Sequence, residues 1–180
     1  MRLYFLRHAH AMTREEWRGE EPARPLTDKG RRQAEGAALG LASLRPGFAA
    51  IISSPFTRAY ETAVIVGRVA GLPVESADVL TPGFDLPGLD HILSLRPEAD
   101  GVLLVGHEPD LSQMVEALVS HAGEPHTHVE MAKASCCLVV TPEDLLGGAS
   151  AADLLERCSL AWERTWKELE ALGHEGADAG

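Results

Sequence analysis

Cysteine is scarce in this chain: Cys136, Cys137 and Cys158 are the only three in 180 residues. The count is odd, two of them are neighbours, and no CxxC pair occurs. This argues against a disulfide framework and a structural zinc site, and it fits a reducing compartment. Long apolar runs are missing as well. No stretch approaches the roughly 20 residues that span a bilayer. The opening "MRLYFLRHAH" has too short an apolar run for a secretory signal. The expected location is therefore the cytoplasm, with no membrane partner. Basic residues are outnumbered, 16 Lys and Arg against 27 Asp and Glu, for a net charge of −11. That balance argues against general nucleic-acid binding.

What remains is ordinary globular composition, 45% hydrophobic and 24% charged. No linker, repeat or low-complexity block divides it. One domain over 1–172 is expected, with 173–180 as a flexible tail. The charge is unevenly spread. Residues 1–60 carry 10 of the 16 basic and only 6 of the 27 acidic residues. An anionic ligand would be drawn to groups from this first third.

Strand-like and helix-like segments alternate. "RLYFL" (2–6), "FAAIIS" (48–53), "PVESADVL" (73–80), "GVLLV" (101–105) and "SCCLVVT" (135–141) read as strands. A helix follows Thr27, a natural N-cap. A second is expected to use Ser54 as its cap and Pro55 at its first position, and to stop at Gly71. A short helix falls near 89–96, and another starts near Pro109. Leu155, Cys158, Trp162, Thr165, Leu169 and Leu172 form a stripe that predicts one long closing helix over 150–172. The β-α-β-α order implies a three-layer α/β sandwich, a mostly parallel central sheet with helices on both faces.

In such sheets ligands gather beyond the carboxyl ends of the strands. The first strand exits into Arg7 and His8. The second leads to Arg58, about one turn into its helix, and the fourth exits into His107. Two arginines and two histidines thus reach one edge from three strand ends. Ser54 and Glu108 lie where helices begin, and helix N-termini favour anions. This describes a pocket for a phosphoryl group, because the guanidinium fork binds oxyanions bidentately. A neutral imidazole can also attack phosphorus and carry the group covalently. His8 is the better candidate for that role, since Arg7 beside it would fix the anion.

"LRHA" at the first strand exit, "PLTDKGRRQA" (25–34), "SSPFTRAYETA" (53–63) and "VGHEPDLS" (105–112), in that order, resemble the histidine phosphatase superfamily, the phosphoglycerate-mutase-like proteins. The resemblance implies that His8 is phosphorylated and that Arg7, Arg58 and His107 bind the phosphoryl group and complete the catalytic set. It implies a metal-independent phosphatase with no cofactor. The short length resembles the SixA-type branch, which is associated with phosphohistidine in signalling proteins. The expected substrate is a phosphorylated protein. The alternatives are phosphatase action on a small phosphorylated metabolite, and a non-catalytic phosphate-binding module. Two departures stand out. Ala9 replaces the usual glycine, and the acid many relatives carry after strand three has no counterpart in "LTPGFDLPGLD". Asp85 and Glu108 are the substitutes at hand.

Other residues invite plainer readings. His10 is expected to line the pocket rim. His126 and His128 alternate in "HAGEPHTH", but two histidines without a firm third ligand more often mark a polar loop than a metal site. Cys136 and Cys137 lie in an apolar strand, and at least one is expected to be an inert core residue. Trp162 and Trp166 are expected in the core and at its edge. Arg14, Arg18 and Arg24 sit among Glu15, Glu16, Glu20 and Glu21, and most of them are expected to be solvated.

Overall fold

Among the described residues, five of six strands run one way through a single sheet, in the order β3-β2-β4-β1-β5-β6. The computed structural model describes residues 1–44, 47–121, 127–142 and 150–178. The elements are β1 (Arg2–Arg7), α1 (Asp28–Ser43), β2 (Ala50–Ser53), α2 (Thr57–Ala70), β3 (Val74–Ser76), α3 (Leu86–Ser94), β4 (Gly101–Gly106), α4 (Asp110–Val119), β5 (Cys136–Val140), α5 (Ala151–Leu154), β6 (Ser159–Arg164) and α6 (Trp166–Asp178). Strand β4 pairs in parallel with β1 and β2, and β2 with β3. Strand β5 is antiparallel to both β1 and β6. The three-layer α/β sandwich with a mostly parallel sheet is the architecture seen.

Alternation along β1 sorts its side chains. Leu3 and Phe5 enter one core with residues of α3, α4 and α5. Tyr4 and Leu6 enter the other, with residues of α1, α2 and α6. Strand β4 is buried throughout, as a central parallel strand covered on both faces must be. Each fully buried Leu, Ile or Phe on these faces contributes about 1.5–3 kcal/mol.

Thr27 caps α1, its side chain accepting from the Gly30 backbone N–H, and Gly71 ends α2 at φ +69°. Three expectations fail. Helix α2 starts at Thr57 rather than Pro55, and Ser54 is not its cap. The Ser54 hydroxyl instead accepts from the Phe56 N–H and meets His107. The helix near 89–96 begins earlier, at Leu86, because Asp85 caps it. The long helix over 150–172 does not exist. In its place are α5, β6 and α6. Strand β5 would otherwise leave a row of unpaired backbone groups along its outer edge. Ser159–Arg164 alternates in burial and pairs there. Helix α6 continues past 172 to Asp178, so the boundary expected for the tail falls inside a helix.

Candidate active site

At the carboxyl edge of the sheet, β1, β2 and β4 lead into His8, Ser54 and His107, with His107 packed against the other two. The His8 and His107 ring centroids are 5.2 Å apart, and Phe56 closes on His107 at the same 5.2 Å. Arg58, from the first turn of α2, sits with its guanidinium 5.0 Å from the Phe56 centroid. Its Nε–H donates to His8 Nε2 at 3.2 Å. All three are buried: His8 is 6%, Arg58 5% and His107 4% exposed.

Backbone chemistry decides which His8 nitrogen is available. Nδ1 lies 2.7 Å from the Ala9 carbonyl oxygen. A carbonyl only accepts, so Nδ1 carries the proton and Nε2 keeps its lone pair. Ala9 is itself fixed, its N–H donating to Thr62 Oγ1 at 3.1 Å. Burial pushes His8 down to about 2 and His107 down to about 3, with neighbouring cations adding to both. Both rings are neutral at pH 7. His107 Nε2 lies 2.9 Å from Ser54 Oγ, and His107 Nδ1 is buried without a hydrogen-bond partner. Burial brings Arg58 to about 10, so it stays charged.

A segment between β1 and α1 covers the site. Glu21 Oε1 is 3.2 Å from Arg58 Nη1 and 2.8 Å from Arg24 Nη2. Arg24 also donates to the Met12 carbonyl. The expectation of solvated arginines therefore fits Arg14, whose side chain is 78% exposed, but not Arg24, at 13%. His10 is an anchor. Its N–H donates to Gln33 Oε1 and its Nδ1 bonds Thr27 Oγ1 at 2.9 Å. Gly30 allows this approach, since a Cβ there would lie 1.9 Å from the His10 carbonyl oxygen.

Arg7 is the sequence-selected residue that stands apart. Alternation after Leu3 and Phe5 sends it to the opposite face from His8. There Nη1 donates to the Met131 carbonyl at 2.6 Å, and Nε has no partner. It borders a cleft of about 470 Å³ that also includes Glu108, Ser112, Glu116, His128 and Glu130. Its charge still reaches His107 and Lys133. The two carboxylate candidates separate. Asp85 is exposed and accepts from the Gly88 N–H as the α3 cap. Glu108 is half-buried, and burial raises its pKa. Its Oε2 accepts from Ser112 at 2.6 Å while Oε1 has no partner. Lys133, which no motif marked, stands half-buried by Arg7, Arg24 and Arg58.

His126 lies outside the described residues, and His128 bonds Glu116. All three cysteines are buried and free, and burial raises their thiol pKa values, Cys137 to about 12. Among the described residues no group of three or more His, Cys, Asp or Glu is arranged to hold a metal. No described helix is long and apolar enough to cross a membrane.

The two buried histidines make stability pH-dependent. An unfolded histidine titrates near 6.5, whereas His8 and His107 stay neutral in the fold until about 2 and 3. The unfolded chain therefore binds more protons as pH falls below 6.5, and stability is lost in that direction. Each residue contributes a slope of about 1.4 kcal/mol per pH unit once below about pH 5.5. Urea midpoints at pH 7 and pH 5 are expected to differ less for His107→Gln than for wild type. Equal differences would refute the assignment.

Two neutral histidines beside a buried arginine at one edge of this layered fold are groups suited to phosphoryl transfer. The profile of the histidine phosphatase superfamily (branch 1) matches residues 3–81. An uncharacterised protein of Picosynechococcus sp. is 34% identical over 139 residues, 74% of this chain and 81% of its own length. The chain belongs to the histidine phosphatase superfamily, and its enzyme class is that of a phosphatase. Solved structures share the fold. The protein histidine phosphatase SixA complexed with tungstate has a TM-score of 0.74 at 24% identity, covering 92% of this chain and 97% of that one. The mycobacterial glucosyl-3-phosphoglycerate phosphatase complexed with VO3 has a TM-score of 0.66 at 22% identity, covering 89% and 97%.

Proposed function

We propose that this protein hydrolyses phosphohistidine in a protein substrate, through a covalent phosphohistidine on His8. The observation that carries the nucleophile is the Ala9 carbonyl holding the His8 proton on Nδ1, which leaves Nε2 unprotonated, its lone pair released for attack once Arg58 turns its N–H to the phosphoryl oxygens. The Nε2–P bond forms as the bond from phosphorus to the leaving group breaks. Water then attacks phosphorus, the N–P bond breaks, and inorganic phosphate leaves with His8 neutral again. Arg58 lies beside Nε2, where charge on the equatorial oxygens needs stabilising. In the tautomer in which Ser54 Oγ–H donates to His107 Nε2, 2.9 Å away, the ring proton sits on Nδ1. His107 Nδ1–H is then a donor for a phosphoryl oxygen. Arg7 adds charge from beyond the strand end.

The leaving group supports the substrate class. A sugar or serine alkoxide needs a proton in the transition state. Imidazole has a conjugate acid of pKa about 6.5 and departs already protonated. Here Asp85 serves as a helix cap, and Glu108 contacts Ser112 rather than the histidines. The fold shared with SixA, called a protein histidine phosphatase, points the same way. kcat/KM measured with a phosphohistidine peptide, an aryl phosphate and a phosphoserine peptide is expected to be lowest by a wide margin for phosphoserine. A chelator is expected to change none of the three. Equal rates, or a loss in Glu108→Gln confined to alkyl esters, would show a working acid and remove the argument for phosphohistidine.

A further inference from the structure

The turn before β5 is pinned to the end of β1. Arg7 N–H donates to the Ser135 carbonyl at 3.1 Å and Ala134 N–H to the His8 carbonyl at 3.4 Å. Ser135 N–H and Oγ–H both return to the Ala132 carbonyl, at 3.0 and 2.7 Å. Ala134 adopts φ +58° to make this turn. That left-handed conformation is unfavourable for an alanine, whose Cβ crowds the following carbonyl oxygen. The result is that Lys133, one residue earlier, is held half-buried at the sheet edge that carries His8.

Its surroundings are unusual for a lysine. Arg7, Arg24 and Arg58 act on it as like charges, and the nearby His8 and His10 feel its charge in turn. Two of the other cations are ion-paired, and the third feels carboxylates from a distance. Arg24 and Arg58 share Glu21, and Arg7 faces Glu108 and Glu130. Among the described residues no ion pair includes Lys133. A half-buried cation among cations is unfavourable until an anion joins it. The fold nevertheless holds it there with a strained turn.

We propose that Lys133 is a phosphoryl-binding residue, its ammonium contacting an oxygen of the group held at His8. This rests on the reading that phosphoryl transfer occurs at His8. It adds a cation of the cluster that, among the described residues, is in no ion pair. Lysine suits the task as a flexible point charge, complementing the planar fork of Arg58.

The test compares wild type, Lys133→Met and Lys133→Arg for binding of inorganic phosphate by calorimetry and for KM with an aryl phosphate. Methionine keeps the apolar stem and removes the charge. Loss of one charged hydrogen bond predicts weaker phosphate binding and higher KM by roughly 10–100-fold, with the melting temperature in the absence of phosphate no lower than wild type. Arginine is expected to recover most of the affinity. Wild-type affinity in Lys133→Met would overturn the proposal. Equal weakening in both variants would also overturn it, because the stem and not the charge would then matter. His8→Ala, assayed alongside, is expected to bind phosphate without turning over. A failure of the His8 chemistry therefore registers separately from a failure here.

Discussion

His8→Ala is expected to reduce turnover of an aryl phosphate by more than about 10⁴-fold while leaving the protein folded. The magnitude follows from the role. Without the imidazole no covalent intermediate forms, and such losses are of the order seen when a nucleophile acting with its partners is removed. The local structure tolerates the change. Ala9 keeps its N–H bond to Thr62, and Arg58 keeps Glu21 and the Phe56 ring. Removing a buried neutral histidine also removes one source of acid sensitivity. The variant is expected to resist urea at pH 5 relative to pH 7 better than wild type. Trapping with radiolabelled substrate adds a direct reading. Wild type is expected to yield an acid-labile phosphoenzyme and the variant none. Near-native turnover in His8→Ala would place the nucleophile elsewhere.

Arg58→Ala is expected to slow kcat by about 10²–10³, the scale for losing one preorganised oxyanion donor. Arg58 is 5% exposed and lies 3.2 Å from His8 Nε2, the nitrogen proposed to attack. Its charge therefore acts with little water to screen it. Its position is set before any ligand arrives, by Glu21 on one side and Phe56 on the other. Arg58→Lys is expected to recover little, because an ammonium has neither the planar fork nor the stacking surface. The effect is expected mainly in kcat, since the charge on the phosphoryl oxygens is shared most in transfer. A rise confined to KM would make Arg58 a ground-state binding residue instead.

The pattern of failures and successes in the sequence has a common physical cause. Short-range chemistry was legible. Thr27 is followed by a helix because its side chain satisfies a free N–H. Gly71 stops α2 because it adopts positive φ freely. "GVLLV" is buried on both faces, and its lack of alternation says so. His8 and His107 stand together because both follow parallel strands, so the alternation of elements alone placed them on one edge.

Long-range pairing was not legible. The stripe from Leu155 to Leu172 has helical spacing, yet Ser159–Arg164 became β6 because β5 needed a partner on its outer edge. Nothing local to residues 159–164 encodes that need. The direction of β5 mattered more. Read as one more parallel strand, its start would lie at the far edge of the sheet, away from His8. Being antiparallel to β1, it begins where β1 ends, and this brings Lys133 to the site. Arg24 and Glu21 were hidden for a related reason, since charges crowded in a loop look solvated until the loop folds over Arg58. The sequence by itself therefore determined the layered fold and the sheet edge where His8, Arg58 and His107 meet. Only the tertiary structure decided which further charges share that edge, because strand direction and loop closure depend on hydrogen-bond partners far away in the chain.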